Sequence, residues 1–482
     1  MENLLRRYAR THGPFVTESA ARRFGLLPAQ VEPVLRSLES AGQLVRGEIR
    51  PGGAGLEWCA PDVLRRLQRR PLAKLRHEVA PVESSALGHF LPRWHGLDKK
   101  EGGQGRLVEA IAQLEGLPLS WSALSKILLP ARVRDFRLDM LDMLAASGAV
   151  VWVGAGPLGQ TDGRIILCRR EHAAALIDPP TDYEPPSELH RSILQHLDER
   201  GASFTMELQR LKPTPTYSEL EETLWDLIWA GHITNDTFLP LRTLGRRTRR
   251  PRRPGTVKTQ GGRWSLVRDL IDSGVAPTER AYTRAQVLLE RYGVVSRETA
   301  LAEELPGGFK TIYGVLKAME EAGRVRRGYF VEGLSATQFA FAGAVERLRA
   351  SRSGEAVQDE HLLSAVDPAN PWGNLLTWPE SKTDKAPRPR RIPGAWVYIV
   401  NGQPIVWVHP RGRTLLSFEA MNDDDTSLRA AEVLLELSRR KRSSLRLARI
   451  DGEPATESRY AALLTKAGFF TDYHDLVYAY RP

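Results

Sequence analysis

Two carboxylates and an imidazole stand together in Asp472-Tyr473-His474-Asp475, close to the end of the chain. Carboxylates at this spacing can orient a water or steady an oxocarbenium ion, the chemistry needed to excise a base extruded from a nucleic-acid strand. The same residue types also build an ordinary turn between Phe470 and Leu476, so catalysis by Asp472 or Asp475 and a plain turn are alternatives. A second chemistry is carried by cations. Arg46 and Arg50 lie in one helix–glycine–strand segment, and Lys310, Lys317, Arg324, Arg326 and Arg327 lie in another, where Tyr313 and Tyr329 interleave with them. Cations in such a pattern neutralise phosphates, and the tyrosines can stack on a base or pack beside the backbone.

Other chemistries lack their residues. No GxxxxGK[ST] phosphate loop is present, since Gly102-Gly103-Gln104-Gly105 lacks the lysine and the hydroxyl, so ATP hydrolysis by this chain is not expected. HExxH, GxSxG and CxxC are missing as well. His190 and His196 fall on one helix but do not face each other at ligand spacing, so no metal and no cofactor is expected.

Elements must position these residues. In Ala281–Gly333, Val287, Leu288 and Tyr292, then Ile312, Val315, Leu316 and Met319, form apolar stripes at helical spacing. Ser296 sits at an N-cap position and Gly323 at a helix C′ position. Val325, Tyr329 and Val331 then enter an extended stretch read as a two-stranded hairpin. Three helices followed by a basic ribbon outline a winged helix-turn-helix; a small helical domain with a solvated hairpin is the alternative.

The signature of apolar helix, glycine and short strand recurs around Gly42, Gly148, Gly231 and Gly323, and partially around Gly468. Its intervals are too long and uneven for a solenoid repeat, and fit tandem small domains. The expected fold class is α+β, with four to five tandem winged helices and a small β-barrel near the C-terminus. The expected boundaries are winged helices at 1–72, 104–178, 186–245 and 263–345, a connector at 73–103 and a basic linker at 246–262. Barrel strands at 365–420 follow, then a C-terminal α/β element at 428–482 that is either a fifth winged helix or the barrel's closure. Thr17 is placed as the cap of the second helix. Trp225 and Trp229 at i, i+4 read as core. Arg65, Arg66, Arg69 and Arg70 read as either a solvated face or phosphate contacts. The arginine run 246–253 and the basic tract 382–391 read as mobile arms, and the strands of 394–418 carry an Asn401-Gly402 hairpin turn.

The chain has 482 residues, 26% charged and 42% apolar, as ordinary folded proteins do. No apolar run approaches the length of a membrane span, and the N-terminus lacks a signal-peptide core. A net charge of +10 and a pI near 9.6 favour a polyanionic partner. Two cysteines, Cys59 and Cys168, with no metal spacing suit a reducing cytosol.

The run AQVLLERYGVVSRETALAEELPGGFKTIYGVLKAMEEAGRVRRGYFVEGLSATQFA, with DPANPWG and NGQPIVWVHPRGRTLLSF, resembles the C-terminal region of Lhr (large helicase-related) proteins. THGPF, RPGG, EWC, LPARVRDFRLDMLD and VWVGAGPLG resemble the same region, so the likeness covers nearly the whole chain. The resemblance implies bacterial DNA-repair helicases, a cytoplasmic and nucleoid-associated setting, and motor domains that this sequence lacks, as a piece of a longer protein or a free-standing relative. It also implies an architecture similar to AlkZ-type DNA glycosylases, whose catalytic Gln-x-Gln or Gln-x-Asp has one counterpart here, Gln160-Thr161-Asp162, within an expected wing turn. Three functions follow as alternatives. The first is a non-catalytic module that grips DNA, single-stranded, duplex or as an RNA:DNA hybrid, through Arg46, Arg50, Lys310, Tyr313, Lys317, Arg324, Arg326, Arg327 and Tyr329, beside helicase motor domains in cis or in trans. The second is a uracil or alkylated-base glycosylase using Asp472 or Asp475, and the third an oligomerisation platform.

Overall fold

Leu5, Ala9, Phe15, Ala20, Val31, Leu35, Leu38, Leu44 and Trp58 are buried together, one stripe from each of three helices closed by a strand. In this computed structural model the helices are Glu2–Thr11, Thr17–Phe24 and Pro28–Ser40, and the ribbon pairs Val45–Gly47 antiparallel with Glu57–Cys59. The structure describes residues 1–47, 49–50, 55–64, 67, 80–99, 101–178, 183–244, 261–271, 274–352, 359–380, 386–421 and 424–480. Arg65, Arg66, Arg69, Arg70 and the arginine run 246–253 lie outside these residues. The chain forms two units, Met1–Ala80 and Pro81–Pro482. In the first, Val16 is the N-cap, and Thr17, expected there, instead accepts the Trp58 indole N–H at 3.0 Å. The hydroxyl is spent on locking the ribbon to the second helix.

The recurring glycines terminate helices by one geometry. Gly42, Gly148, Gly231 and Gly323 have φ between 70° and 76°, and Gly468 has φ 110°. In each case the following N–H reaches back to the carbonyl five residues before the glycine's successor, as in Gln43 to Leu38 and Arg324 to Met319. This is the Schellman closure, which needs a left-handed residue at C′ and turns the chain directly into a strand.

Three winged-helix segments follow in the second unit. One has helices Gln104–Leu114, Trp121–Arg132 (with a π-helical stretch Leu124–Leu128) and Leu138–Ala146, and a sheet ordered Pro118–Ser120, Gly163–Arg169, Val150–Pro157. The next has Glu188–Arg200, Thr205–Leu208 and Tyr217–Trp229, with Arg263–Leu266 paired between Ser203–Phe204 and Ile233–Asn235. Trp225 and Trp229 stack at 5.1 Å and pack, partly buried, against the core shared by these two segments. Arg263–Leu266 therefore belongs to the third winged helix, and the expected basic linker falls between two paired strands of one domain. The last has Pro277–Tyr292, Arg297–Ala302 and Phe309–Glu321. Ser296 caps its second helix, with its N–H donated to the Thr299 hydroxyl at 3.0 Å.

The ribbon of this last domain differs from the expected hairpin. Arg326–Gly328 pairs with Gln338–Ala340, which pairs in turn with Val294–Val295, and Tyr329 to Val331 form no second strand of a hairpin. The buried Gln338 amide explains this. Its Oε1 accepts from Phe330 and Val331 N–H, and its Nε2 donates to the Val331 and Ser335 carbonyls, replacing a strand partner.

Nor does a closed β-barrel form. Glu360–Ser364, Trp396–Val400, Gln403–Val408, Thr414–Ser417, Arg449–Ile450 and Glu453–Pro454 make one six-stranded sheet, open at both ends among the described residues. Asn401 and Gly402, with φ 47° and 78°, make the expected turn. Within residues 424–480, helices Asp424–Lys441 and Ala461–Lys466 pack with a separate sheet ordered Leu445–Leu447, Asp475–Tyr478, Phe470–Asp472. No helix among the described residues is long and apolar enough to cross a membrane.

The expected connector is a core element. Helix Ser84–Trp94 buries every residue from Ser85 to Pro92, between the last winged helix and the open sheet. A Cβ on Gly88 would stand 2.0 Å from the Gly402 carbonyl oxygen, so the hairpin turn seats directly on the helix backbone. Arg391, in a tract expected to be mobile, is half-buried and donates to the carbonyls of Asn370, Trp372 and Asp367. Residues 382–385 of that tract lie outside the described residues.

Buried charges join these layers. Arg132, fully buried, donates to Asp367 Oδ1 at 2.6 Å and Oδ2 at 3.0 Å. It also donates to His95 Nδ1 at 2.9 Å, which fixes a neutral imidazole with its proton on Nε2. Burial and the Arg132 charge hold the His95 pKa well below its usual value. Burial pushes the Asp367 carboxyl up, but the Arg132 charge and hydrogen bonds outweigh it, and the pKa lies below the ordinary carboxylate value. Both folded pKa values are depressed, so both groups stabilise the fold above their unfolded pKa values and lose that stabilisation as pH falls. The His95 contribution fades first, below about pH 6.5. The melting temperature should drop between pH 7 and pH 5, His95→Gln should flatten that dependence, and Asp367→Asn should cost ~3–5 kcal/mol at neutral pH, since it strands the buried Arg132. Calorimetric melts across that range check all three outcomes.

Candidate nucleic-acid interface

Helix Phe309–Glu321 buries Ile312, Leu316 and Met319, and this spacing turns Lys310, Tyr313 and Lys317 outward. Lys310 and Lys317 lie two turns apart, about 10 Å along the axis. Between them Gly314 leaves open space, since a Cβ there would meet nothing within 4 Å. An interior glycine costs a helix ~1 kcal/mol relative to alanine, and here it keeps the surface between the lysines low. Tyr313 is 37% exposed, and Phe309 and Phe339, each with its ring 5.9 Å away, hold it at an angle to their own rings. It is a fixed aromatic surface with one side free.

The ribbon continues this face. Arg326 is exposed and has no side-chain partner among the described residues. Arg324 donates to the Tyr282 hydroxyl at 3.1 Å, Arg327 lies 3.6 Å from Glu320, and Lys317 lies 3.8 Å from Glu321. Tyr329 is 41% exposed. Seven of the nine sequence candidates thus gather on one winged helix. Tyr282 joins them from helix Pro277–Tyr292, a contribution that local sequence pattern does not signal.

Arg46 and Arg50 belong to the N-terminal unit. Arg46 is exposed, with its guanidinium 5.0 Å above the Trp58 ring. Arg50 is committed to Glu57 across the ribbon, with Nε donating at 2.6 Å and the backbone N–H at 3.0 Å.

Asp472 and Asp475 face each other at the closing pair of a hairpin whose turn is Tyr473-His474. Arg446 bridges them, bonding Asp472 and donating to Asp475 at 3.0 Å, and Arg413 lies 3.6 Å from Asp475. Tyr473, 92% exposed with φ 55°, projects at the tip. Gln160 is exposed, whereas Asp162 accepts the Ser122 N–H at 3.1 Å, the Ser122 hydroxyl and the Gly163 N–H, bracing the start of helix Trp121–Arg132. Among the described residues no group of three His, Cys, Asp or Glu side chains could hold a metal ion.

Residues 82–170 and 274–360 each match a family described as the winged-helix domain of large helicase-related protein. Over 479 residues the chain is 40% identical to a Mycolicibacterium smegmatis protein named "Lhr helicase/ probable uracil glycosylase", covering 93% of this chain and 31% of that protein. Over 523 residues it is 33% identical to the Escherichia coli "Lhr helicase/uracil glycosylase", covering 97% and 33%. The chain thus spans about a third of the length of these curated relatives. Among solved structures, Streptomyces sahachiroi DNA glycosylase AlkZ matches 70% of this chain and 92% of its own, at a TM-score of 0.41 and 14% identity.

The Arg50 side chain is engaged within its own ribbon. Glu57 is 1% exposed, though its cover is a thin ribbon and not a deep core, and the Arg50 hydrogen bond holds its pKa below the usual value. Arg50→Ala should lower the melting temperature of the N-terminal unit, and the loss should shrink as pH falls through the carboxylate range. Its effect on the salt dependence of nucleic-acid binding should be negligible. Circular dichroism melts paired with binding isotherms check this.

Proposed function

Because the chain belongs to the large helicase-related (Lhr) family, we propose that it is a DNA-gripping region of an Lhr-type repair helicase, working beside a motor supplied by such a protein. The supporting observation is the exposed face of the last winged helix, where Lys310 and Lys317 flank Tyr313 on one helix and the ribbon adds Arg326, which has no carboxylate partner among the described residues. Phosphates engage the cations, and counterion release makes affinity fall with salt. The tyrosine and the open surface at Gly314 let the helix approach the backbone or an unpaired base. The salt dependence of binding to single-stranded and duplex oligonucleotides tests this. Arg326→Ala and Lys310→Ala should each flatten the log–log slope by about one unit, and Lys317→Ala less, because Glu321 lies 3.8 Å from its ammonium. Arg327→Ala should flatten it less, because Glu320 already offsets that charge. Unchanged slopes in all four variants would remove the assignment.

A second reading, excision of uracil from DNA, is supported by the names of both curated relatives and by the paired carboxylates at the C-terminal hairpin. Asp472 or Asp475 would position water or steady the sugar cation, with Arg446 holding the pair. A labelled single strand carrying one uracil, treated with alkali after incubation, should be cut only with the wild-type chain and not with Asp472→Asn or Asp475→Asn. Cutting that survives both substitutions would clear these residues of the role.

A further inference from the structure

A cleft of about 460 Å³ opens beside Trp94, between helices Ser84–Trp94, Gln104–Leu114 and Ala342–Ala350. We propose that it takes one nucleotide, with the base laid on the Arg347 guanidinium and the phosphate held by Lys99. Its volume falls in the range of small-ligand sites, ~300–1,000 Å³.

The carrying observation is a ladder of planar groups. Phe90, fully buried, stacks on Trp94 with ring centroids 5.3 Å apart, and the Arg347 guanidinium lies 5.5 Å from the Trp94 ring centre. Trp94 is pinned from below, as its indole N–H donates to the Glu290 carbonyl at 2.7 Å. Arg347 is exposed and has no carboxylate partner among the described residues, so the top of the ladder is a flat cation open to the cleft. Bases stack on guanidinium planes as they do on aromatic rings, and a cation backed by an indole favours an electron-rich ring over another cation.

The remaining groups suit a nucleotide. Lys99 is exposed, with no anionic partner among the described residues. Two of the three carboxylates in the lining are already committed, Glu109 to Arg106 at 3.0 Å and Glu290 to Arg169 at 3.1 Å; Glu101 has no ion pair among the described residues. The Gln113 amide, in the lining, donates through Nε2 to the Trp94 carbonyl at 2.9 Å and so holds Trp94 from a second side. The nucleotide can arrive as one residue of a bound strand, which rests on the DNA-gripping reading, or as a free mononucleotide. The ligand chemistry is the same.

The test uses the whole chain with two probes at low salt: a single-stranded 12-nucleotide DNA followed by fluorescence anisotropy, and AMP followed by saturation-transfer NMR. Losing one stacking plane should weaken oligonucleotide binding roughly fivefold to a hundredfold in Arg347→Ala. Arg347→Lys should keep the salt slope yet lose most of that affinity, and Lys99→Ala should weaken AMP and DNA alike. Saturable AMP binding that depends on Arg347, with no oligonucleotide binding in the wild type, would uphold the cleft as a free-nucleotide site and sink the DNA reading instead. Wild-type binding of DNA with Arg347→Ala and Arg347→Lys unaffected would overturn the cleft proposal while the DNA reading survives. Full activity in Arg347→Lys alone would also overturn it, by reducing the site to a phosphate contact. Binding of neither probe would overturn both.

Discussion

The larger unit depends on a charged pair that has no access to water. Arg132 and Asp367 stand 235 positions apart, one at the end of a winged-helix element and the other in the turn before the open sheet's second strand. An ion pair so buried repays its desolvation only when the surrounding donors and acceptors are also used. Here the Arg132 guanidinium serves both Asp367 oxygens, the Leu128 carbonyl and His95. His95 and Arg132 in turn give their carbonyls to Arg106. The knot ties three segments at one point, with Arg132 Nε and His95 Nε2 as the buried polar atoms in it that have no partner among the described residues.

Arg291 repeats the device a short distance away. It lies in the first helix of the last winged helix, is fully buried, and donates to the Gln113 carbonyl at 2.9 Å and to the Glu115 carbonyl. These are carbonyls at the C-terminus of helix Gln104–Leu114, which has no later turn to bond them. One domain's arginine thus caps another domain's helix. The net charge of +10 is therefore a poor map of where a polyanion would sit. Arg132, Arg291 and Arg391 are spent on holding the layers together, and Arg50 on its own ribbon. On helix Phe309–Glu321 and the strand after it, Lys310 and Arg326 are exposed and have no carboxylate partner among the described residues, whereas Lys317 and Arg327 stand near Glu321 and Glu320.

Sequence pattern carried the local features well. Apolar stripes located the helices, the recurrent glycines marked their Schellman ends, and Asn401-Gly402 marked a hairpin. Lys310, Tyr313 and Lys317 were legible as one face because helical spacing alone groups them. Relations across long separations were less visible. Helix Ser84–Trp94 reads as a connector because Pro92 and its mixed residues give no clean stripe; it is buried all round, a condition in which amphipathic periodicity disappears. Arg263–Leu266 follows an arginine run that looks like a domain break, yet its partners Ile233–Asn235 and Ser203–Phe204 lie before that run. Whether strands close into a barrel depends on the pairing of the outermost two, Glu360–Ser364 and Glu453–Pro454, and alternation within a strand carries no information on that. The commitment of Arg50 is hidden for the same reason, because Glu57 meets it only once the ribbon has folded.

Rigid joints of this kind have a consequence for how the candidate sites cooperate. Helix Pro277–Tyr292 carries Tyr282, which orients Arg324 at the basic ribbon, and Glu290, whose carbonyl pins Trp94 at the cleft. Eight residues of helix separate them, about 12 Å. Arg291, the next residue, is locked by the buried bonds to Gln113 and Glu115, so the helix is held at the cleft end by charges it cannot release without stranding them. A strand held by the ribbon's cations and a nucleotide held above Trp94 would therefore be referenced to one inflexible element. The spacing between Tyr282 and Glu290 is set by helix rise, and Arg291 ties the end beside Glu290 to the Gln113 and Glu115 carbonyls.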